Sequence, residues 1–170
     1  MQATQRSDLD LTEVFARDYP RLCRVAALMV GSRALAEELV MDAFERTLRL
    51  SPTSIDPERA GAYLRRAVVN QARNAMRRMG NERRALARVA GLARRSAPGA
   101  DVGTDDHPVT AAVLVLPPRQ RAAVVLRYYA DLSDAEIADA LECSIGTVKS
   151  QLAKARARLA RVLDDGGVNS

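Results

Sequence analysis

Tryptophan is absent from the 170 residues, and phenylalanine and tyrosine together make up only 4%. Ala, Leu, Val and Arg dominate instead, a mix that favours helix over strand. Cysteine is nearly as scarce: Cys23 and Cys143 lie 120 positions apart. That pattern gives no metal-ligand spacing and no exported disulfide framework, so each reads as a small buried apolar residue. The one histidine, His107, sits in a polar stretch beside a proline, a solvated position and not that of a general base. With no Gly-rich phosphate loop and no Cys/His pair either, no enzymatic site and no cofactor are expected. No apolar run approaches the ~20 residues of a membrane span. MQATQRSDLD lacks the apolar core of a signal peptide. The expectation is a soluble cytoplasmic protein with no membrane insertion.

What is present is charge, unevenly placed. The net charge is +5 and the isoelectric point about 9.8. Residues 1–58 carry 7 basic and 10 acidic side chains, whereas residues 59–95 carry 11 arginines and a single acid, Glu82. Residues 96–143 return to excess acid, 8 against 3, and residues 144–170 hold 5 bases and 2 acids. Two basic blocks thus each follow an acidic one. So dense an arginine block costs self-repulsion unless a polyanion meets it.

Helical periodicity runs through most of the chain, and no stretch shows sustained strand alternation, so the fold class is all-α. The pattern divides it into a unit over 9–80, a flexible linker over 81–109 that holds SAPGADVGTDDHP, and a unit over 110–163. In the first unit one helix ends at Gly31-Ser32. A second carries an inner stripe of Leu35, Leu39, Ala43, Phe44 and Leu48, and a long helix spans 59–79. On that last helix Tyr63, Ala67, Asn70 and Asn74 share one face, and Arg66, Arg73 and Arg77 a neighbouring one.

In the second unit a helix over 118–129 opens on Pro117-Pro118, as suits a first turn. Ser133-Asp134-Ala135-Glu136 then forms a capping box before a short apolar run. After Glu142-Cys143, Ser144 caps the next helix. A short capped helix, a tight turn and a basic capped helix make a helix-turn-helix, whose second helix enters the major groove of DNA. The inner stripe of that helix is Val148, Leu152, Ala155, Leu159 and Val162. Lys149, Ser150 and Lys154 point outward, with Thr147 and Gln151 at the margins, and these side chains are suited to base edges. Arg156, Arg158 and Arg161 lie further along, where phosphate contacts are expected. On these features alone a self-sufficient repressor or activator, or a helical module that binds protein only, stays open beside any other DNA-binding reading.

At this point the sequence becomes familiar. LPPRQRAAVVLRYYADLSDAEIADALECSIGTVKSQLAKARARL resembles region 4 of the sigma-70 family. AEELVMDAF (36–44) and AYLRRAVVNQARNAMRR (62–78) resemble region 2. Region 2, a short linker and region 4, with no region 3 between, is the layout of the extracytoplasmic-function sigma factors.

The resemblance implies that the chain binds bacterial core RNA polymerase and directs it to promoter DNA. Region 4 would read the minus-thirty-five element as duplex. The region 2 helix with Glu37, Glu38, Met41 and Asp42 would dock on the clamp helices of the largest catalytic subunit, whose basic surface carboxylates complement. The long helix would meet the minus-ten element, with Arg65, Arg66, Arg73, Arg77 and Arg78 holding separated strands and Asn70 and Asn74 reading bases. The loop over 53–60 matches the one that captures a flipped base, and the acidic stretch 101–106 either mimics nucleic acid in the polymerase's RNA channel, as family linkers do, or simply stays solvated. An anti-sigma factor, where one exists, covers the polymerase-binding faces of both regions. The apolar face around Leu116, Val124, Leu126 and Tyr128 would serve both the domain core and the polymerase flap. Two departures stand out. Met41 replaces the family's Gln, removing a polar contact to the clamp, and Tyr63 replaces its Trp, so Tyr63 is expected to pack the core and support the loop rather than wedge DNA open.

Overall fold

The computed structural model describes residues 2–50, 57–90 and 108–167, with side chains placed over 13–49, 59–89 and 108–164. Seven helices are present among them: α1 (Gln2–Val30), α2 (Arg33–Leu50), α3 (Pro57–Ala90), α4 (Pro108–Leu114), α5 (Pro118–Tyr128), α6 (Asp134–Leu141) and α7 (Ile145–Gly167). His107 and the stretch 101–106 lie outside the described residues, as does 53–56 of the loop expected over 53–60; its second half, 57–60, is instead the first turn of α3, opened by Pro57.

The ends of these helices follow from local chemistry. Gly31 takes φ 78°, the left-handed conformation that terminates α1, and its N–H donates to the Ala27 carbonyl at 2.7 Å. The next residue, Ser32, accepts from the Leu35 N–H at 3.3 Å and starts α2. The Pro117-Pro118 pair sets the entry to α5, with Pro117 at φ −53°.

Helix α3 runs on beyond the periodic stretch 59–79, into the Arg/Ala-rich part of the segment expected as linker. It ends at Ala90, and α4 already begins at Pro108, so that segment is helical at both ends. The arginine- and alanine-rich composition of 81–90 explains the continuation, because both residues are strong helix formers. That extension leaves the domain behind: Leu86 and Val89 are exposed.

Helices α1, α2 and α3 pack on one another around Leu22, Ala26, Ala27, Ala36, Val40, Ala43, Leu64 and Val68, with Phe15 stacked on Phe44 at 3.9 Å beside them. Leu39 and Ala43 of the expected α2 stripe are buried and Leu35 and Phe44 partly so. Gly61 of α3 leaves room for side chains of α1: a Cβ there would stand 2.8 Å from Asp18 Oδ2. Cys23 and Cys143 are both free and half-buried against apolar neighbours.

The second core is not confined to α4–α7. Val113, Leu116, Val124, Val125, Leu126, Ile137, Val148, Leu152 and Ala155 form one cluster with Val25, Leu28 and Met29 of α1 and Val69, Ala72 and Ala75 of α3. The two units therefore share a continuous apolar interior, with α5 against α1 and α6 against α3. Within α7 the stripe ends sooner than expected: Leu159 is partly buried, but Val162 is exposed. Val162 lies beyond the last residue of the unit that α7 can reach.

Candidate nucleic-acid interface

The helix-turn-helix is built from caps inward. Ser133 Oγ accepts from the Glu136 N–H at 3.3 Å, while Glu136 Oε2 accepts from the Ser133 N–H at 2.8 Å. Those donated hydrogen bonds stabilise the ionised carboxyl, so the Glu136 pKa is held below its ordinary range. Helix α6 ends on Glu142, and α7 starts three residues later, capped by Ser144, whose Oγ accepts from the Thr147 N–H at 3.1 Å. The Thr147 hydroxyl lies 2.9 Å from that same Oγ. Thr147 is thus partly engaged in the cap.

Buried Val148, Leu152 and Ala155 fix the rotation of α7 about its axis. Lys149, Ser150, Lys154, Arg156 and Arg158 consequently face solvent, and Gln151 is half-buried at the edge. Every expected base-reading or phosphate-contacting side chain of this helix lies on one outward surface, with Thr147 and Gln151 at its margin.

In the first unit the expected residues of α3 lie on two adjoining faces that meet at Arg66 and at the Arg73–Asn74 contact of 3.3 Å. Asn70, Asn74 and Tyr63 open into a cleft of about 320 Å³ between α2 and α3, where Arg46, Thr47 and Gln71 also contribute. Tyr63 is 43% exposed there. It lines the cleft and does not pack the core, contrary to expectation, because α3 turns that face away from α1 and leaves small Ala60, Leu64 and Val68 to fill the interior.

Four of the arginines reach toward the second unit, and one of them, Arg66, also lines the cleft. Arg66 Nη2 meets Asp139 at 2.8 Å, Arg73 Nη1 meets Glu142 at 2.9 Å and Arg77 Nη1 lies 3.7 Å from the same carboxylate. Arg73 also donates to the Ala140 carbonyl at 3.0 Å, and Arg65 to that of Ala130 at 3.4 Å. Only 15% of the Arg73 side chain is exposed. Arg78 is exposed.

On α2, Glu37, Glu38, Met41 and Asp42 form one ridge at helical spacing. Glu38 and Met41 are exposed, and Glu37 and Asp42 are half-buried beside Arg33 and Arg46 at 2.9 and 3.1 Å. Such exposed i, i+4 pairs are weak and readily exchanged for a partner's charges.

Sequence reasoning missed the residues that join the units: Arg21, Asp131, Asp139 and Glu142. Arg21 donates to the Tyr129 carbonyl at 3.1 Å and pairs with Asp131. A signal existed in the charge pattern, since the acidic block that contains α6 follows directly on the arginine block of α3. Among the described residues no His, Cys, Asp and Glu cluster could hold a metal ion, and no helix is long and apolar enough to cross a membrane.

Comparison with known proteins identifies both units. Residues 14–82 match the model of sigma-70 region 2 and residues 107–159 that of sigma-70 region 4. The RNA polymerase sigma-E factor of Streptomyces coelicolor is 35% identical over 89% of this chain and 84% of its own length. The ECF RNA polymerase sigma factor SigM of Mycobacterium tuberculosis is 35% identical over 92% and 80%. Two solved structures share the fold at 24% identity. They are RpoE of Bartonella quintana in complex with the anti-sigma factor NepR, with a TM-score of 0.64 over 91% of this chain and 97% of that one, and CnrH in complex with the cytosolic domain of CnrY, with 0.61 over 99% and 95%. A region 2 carrying the cleft and the α2 ridge, followed by a region 4 helix-turn-helix, together with these relatives, means that the chain belongs to the extracytoplasmic-function sigma factors of the sigma-70 family.

Proposed function

We propose that this RNA polymerase sigma factor divides promoter recognition between the two surfaces just described. It directs core RNA polymerase to promoters, and α7 reads the minus-thirty-five element in the major groove through Lys149, Ser150 and Lys154. Thr147 and Gln151 flank that contact, and Arg156 and Arg158 hold phosphates. Region 2 takes 9–80 and region 4 takes 110–163. The cleft between α2 and α3 receives an unstacked minus-ten base, read by Asn70 and Asn74. Arg65, Arg66, Arg73, Arg77 and Arg78 hold the separated strands. The ridge of Glu37, Glu38, Met41 and Asp42 docks on the polymerase clamp. The protein carries no chemistry of its own, acts in the cytoplasm with its polymerase, and is held by an anti-sigma factor, as RpoE of Bartonella quintana is.

The observation that carries this reading is the outward basic edge of α7, set by Val148, Leu152 and Ala155 beneath it. A direct test titrates labelled protein with purified bacterial core RNA polymerase and then adds a housekeeping sigma factor. Saturable binding that the competitor displaces is expected. Absence of core binding, alongside specific duplex binding by the chain alone, would replace the reading with a stand-alone regulator.

A further inference from the structure

Helix α3 outruns the family match. The match to region 2 ends at 82, yet the helix continues to Ala90. Every residue from 83 to 89 except Ala87 is exposed.

The faces of this extension are nonetheless ordered. Arg66, Arg73, Arg77, Arg84 and Arg88 follow one another at steps of 7, 4, 7 and 4 residues, which keeps all five on one side of a helix with 3.6 residues per turn. Asn70 and Asn81 fill the two long steps, so the stripe is polar throughout and free of acid. At 1.5 Å per residue it runs for about 33 Å. The one acid of the block, Glu82, lies off the stripe, at steps of 4 and 3 from Leu86 and Val89.

Partners divide the stripe in two. Asp139 and Glu142 pair with Arg66, Arg73 and Arg77. Beyond these, no carboxylate among the described residues lies within ion-pair distance of Arg84 or Arg88, and Arg88 Nε only donates back to the Arg84 carbonyl at 3.3 Å. A stretch that had only to be helical would gain from a Glu four residues ahead of an Arg. Here the two guanidinium groups stand unpaired, in line with the face assigned to minus-ten DNA, and their fork of donors matches a phosphate.

We propose that Arg84 and Arg88 are a third promoter contact, gripping backbone phosphates of the duplex on the upstream side of the minus-ten element. This rests on the reading that α3 meets that element through Asn70 and Asn74. Connectivity sets the side: residues 91–107 lead from Ala90 to region 4, the unit assigned to the minus-thirty-five element. The helix sets the reach. Arg84 and Arg88 stand about 15 and 21 Å beyond Asn74 along the axis, or about four to six base steps at 3.4 Å each. Phosphate contacts carry no sequence information, so the extension adds affinity and register without narrowing promoter choice.

The test uses holoenzyme reconstituted with purified bacterial core RNA polymerase, and a promoter duplex selected by that holoenzyme from random sequence. Arg84→Ala/Arg88→Ala preserves helix propensity and removes both charges. Binding isotherms across salt concentrations should show weaker binding at low salt and a salt slope lower by about 2, about 1 for each phosphate contact. Arg83→Ala, on another side of α3 near the buried Arg121, removes one charge off the stripe and should leave the slope unchanged. Neutral methylphosphonates placed about four to six steps upstream of the captured base should weaken binding by wild type and make no difference to the double variant.

A slope unchanged by the double variant overturns the proposal. So does a loss from Arg83→Ala as large as that of either stripe arginine, which would make net charge and not the stripe the cause. Weaker binding of core polymerase by the double variant, without DNA, would place the extension against protein and overturn the proposal too. Asn70→Ala/Asn74→Ala separates the two readings. If that variant slows minus-ten opening while the double arginine variant keeps the wild-type slope, the minus-ten reading stands and the upstream contact fails. If opening is normal and the slope unchanged, both fail.

Discussion

Ser133 and Glu136 cap one another across the first turn of α6, the Glu136 carboxylate accepting at 2.8 Å from both the N–H and the hydroxyl of Ser133. This reciprocal pair fixes where the first helix of the helix-turn-helix begins. Ser133→Ala should cost about 1 kcal/mol, which for a chain of this size lowers Tm by about 3 °C.

The pair also carries a pH signature. Because its hydrogen bonds to Ser133 hold the Glu136 pKa below the ordinary range, its contribution is complete above the unfolded-state pKa and is lost as pH falls through the lower folded value. Urea unfolding of wild type and Glu136→Gln should therefore differ most near pH 7 and converge in acid. A difference that persists unchanged at pH 3 would assign the effect to side-chain packing and not to the charged cap.

A second expectation concerns Leu152, whose side chain is buried on the inner face of α7. Leu152→Ala should destabilise region 4 by about 2–5 kcal/mol through the transfer and cavity terms. Duplex affinity should fall with it, because Val148, Leu152 and Ala155 beneath the basic edge of α7 align it. Isothermal unfolding and duplex binding by holoenzyme, measured on the same variant, check the pair.

Much of this was legible in the sequence, and the rest was not, for identifiable reasons. The capping box, the cap on α7 and its buried stripe rest on spacings within one or two turns, where a residue's neighbours along the chain are its neighbours in space. The α3 faces were likewise readable from i, i+4 spacing: Asn70 and Asn74 do share the cleft with Tyr63. Burial on α3 was not readable, because it depends on a partner far along the chain. Arg73 and Arg78 are chemically identical and five residues apart, yet one is nearly covered by Glu142 and Ala140 while the other faces solvent. Arg121 gives the same lesson within region 4. It is buried in α5 with Nη1 on the Leu114 carbonyl at 3.0 Å, and burial lowers its pKa, whereas Arg119 beside it is exposed.

Base readout and phosphate anchoring on α7 should separate experimentally. Lys149→Ala/Lys154→Ala should cost holoenzyme about 1–3 kcal/mol per base contact and relax its preference for the correct minus-thirty-five sequence. Arg158→Ala should weaken binding to all sequences alike and reduce the salt slope by about 1. Both substitutions lie outside the α2 ridge, so affinity for core polymerase should stay unchanged. Binding isotherms on matched and scrambled minus-thirty-five duplexes, at several salt concentrations, decide between these outcomes.

The cleft between α2 and α3 leads to the last expectation. Asn70 and Asn74 line it with Tyr63, and all three are at least partly solvent-exposed, so removing their side chains leaves the region 2 core of Leu22, Val40, Leu64 and Val68 intact. Asn70→Ala/Asn74→Ala and Tyr63→Ala should each keep Tm close to wild type, as surface substitutions generally do. A cleft that captures an unstacked base acts only once the duplex has opened. Holoenzyme carrying these variants should therefore form the initial duplex complex normally but open the minus-ten element more slowly, which permanganate reactivity of unpaired thymines would follow in time. A promoter pre-opened by mismatches across that element removes the cost of strand separation. If the cleft contributes only by driving separation, the mismatched promoter restores wild-type behaviour. If it reads base identity, a preference among bases at the captured position persists in wild type on that promoter and is lost in the Asn70→Ala/Asn74→Ala variant.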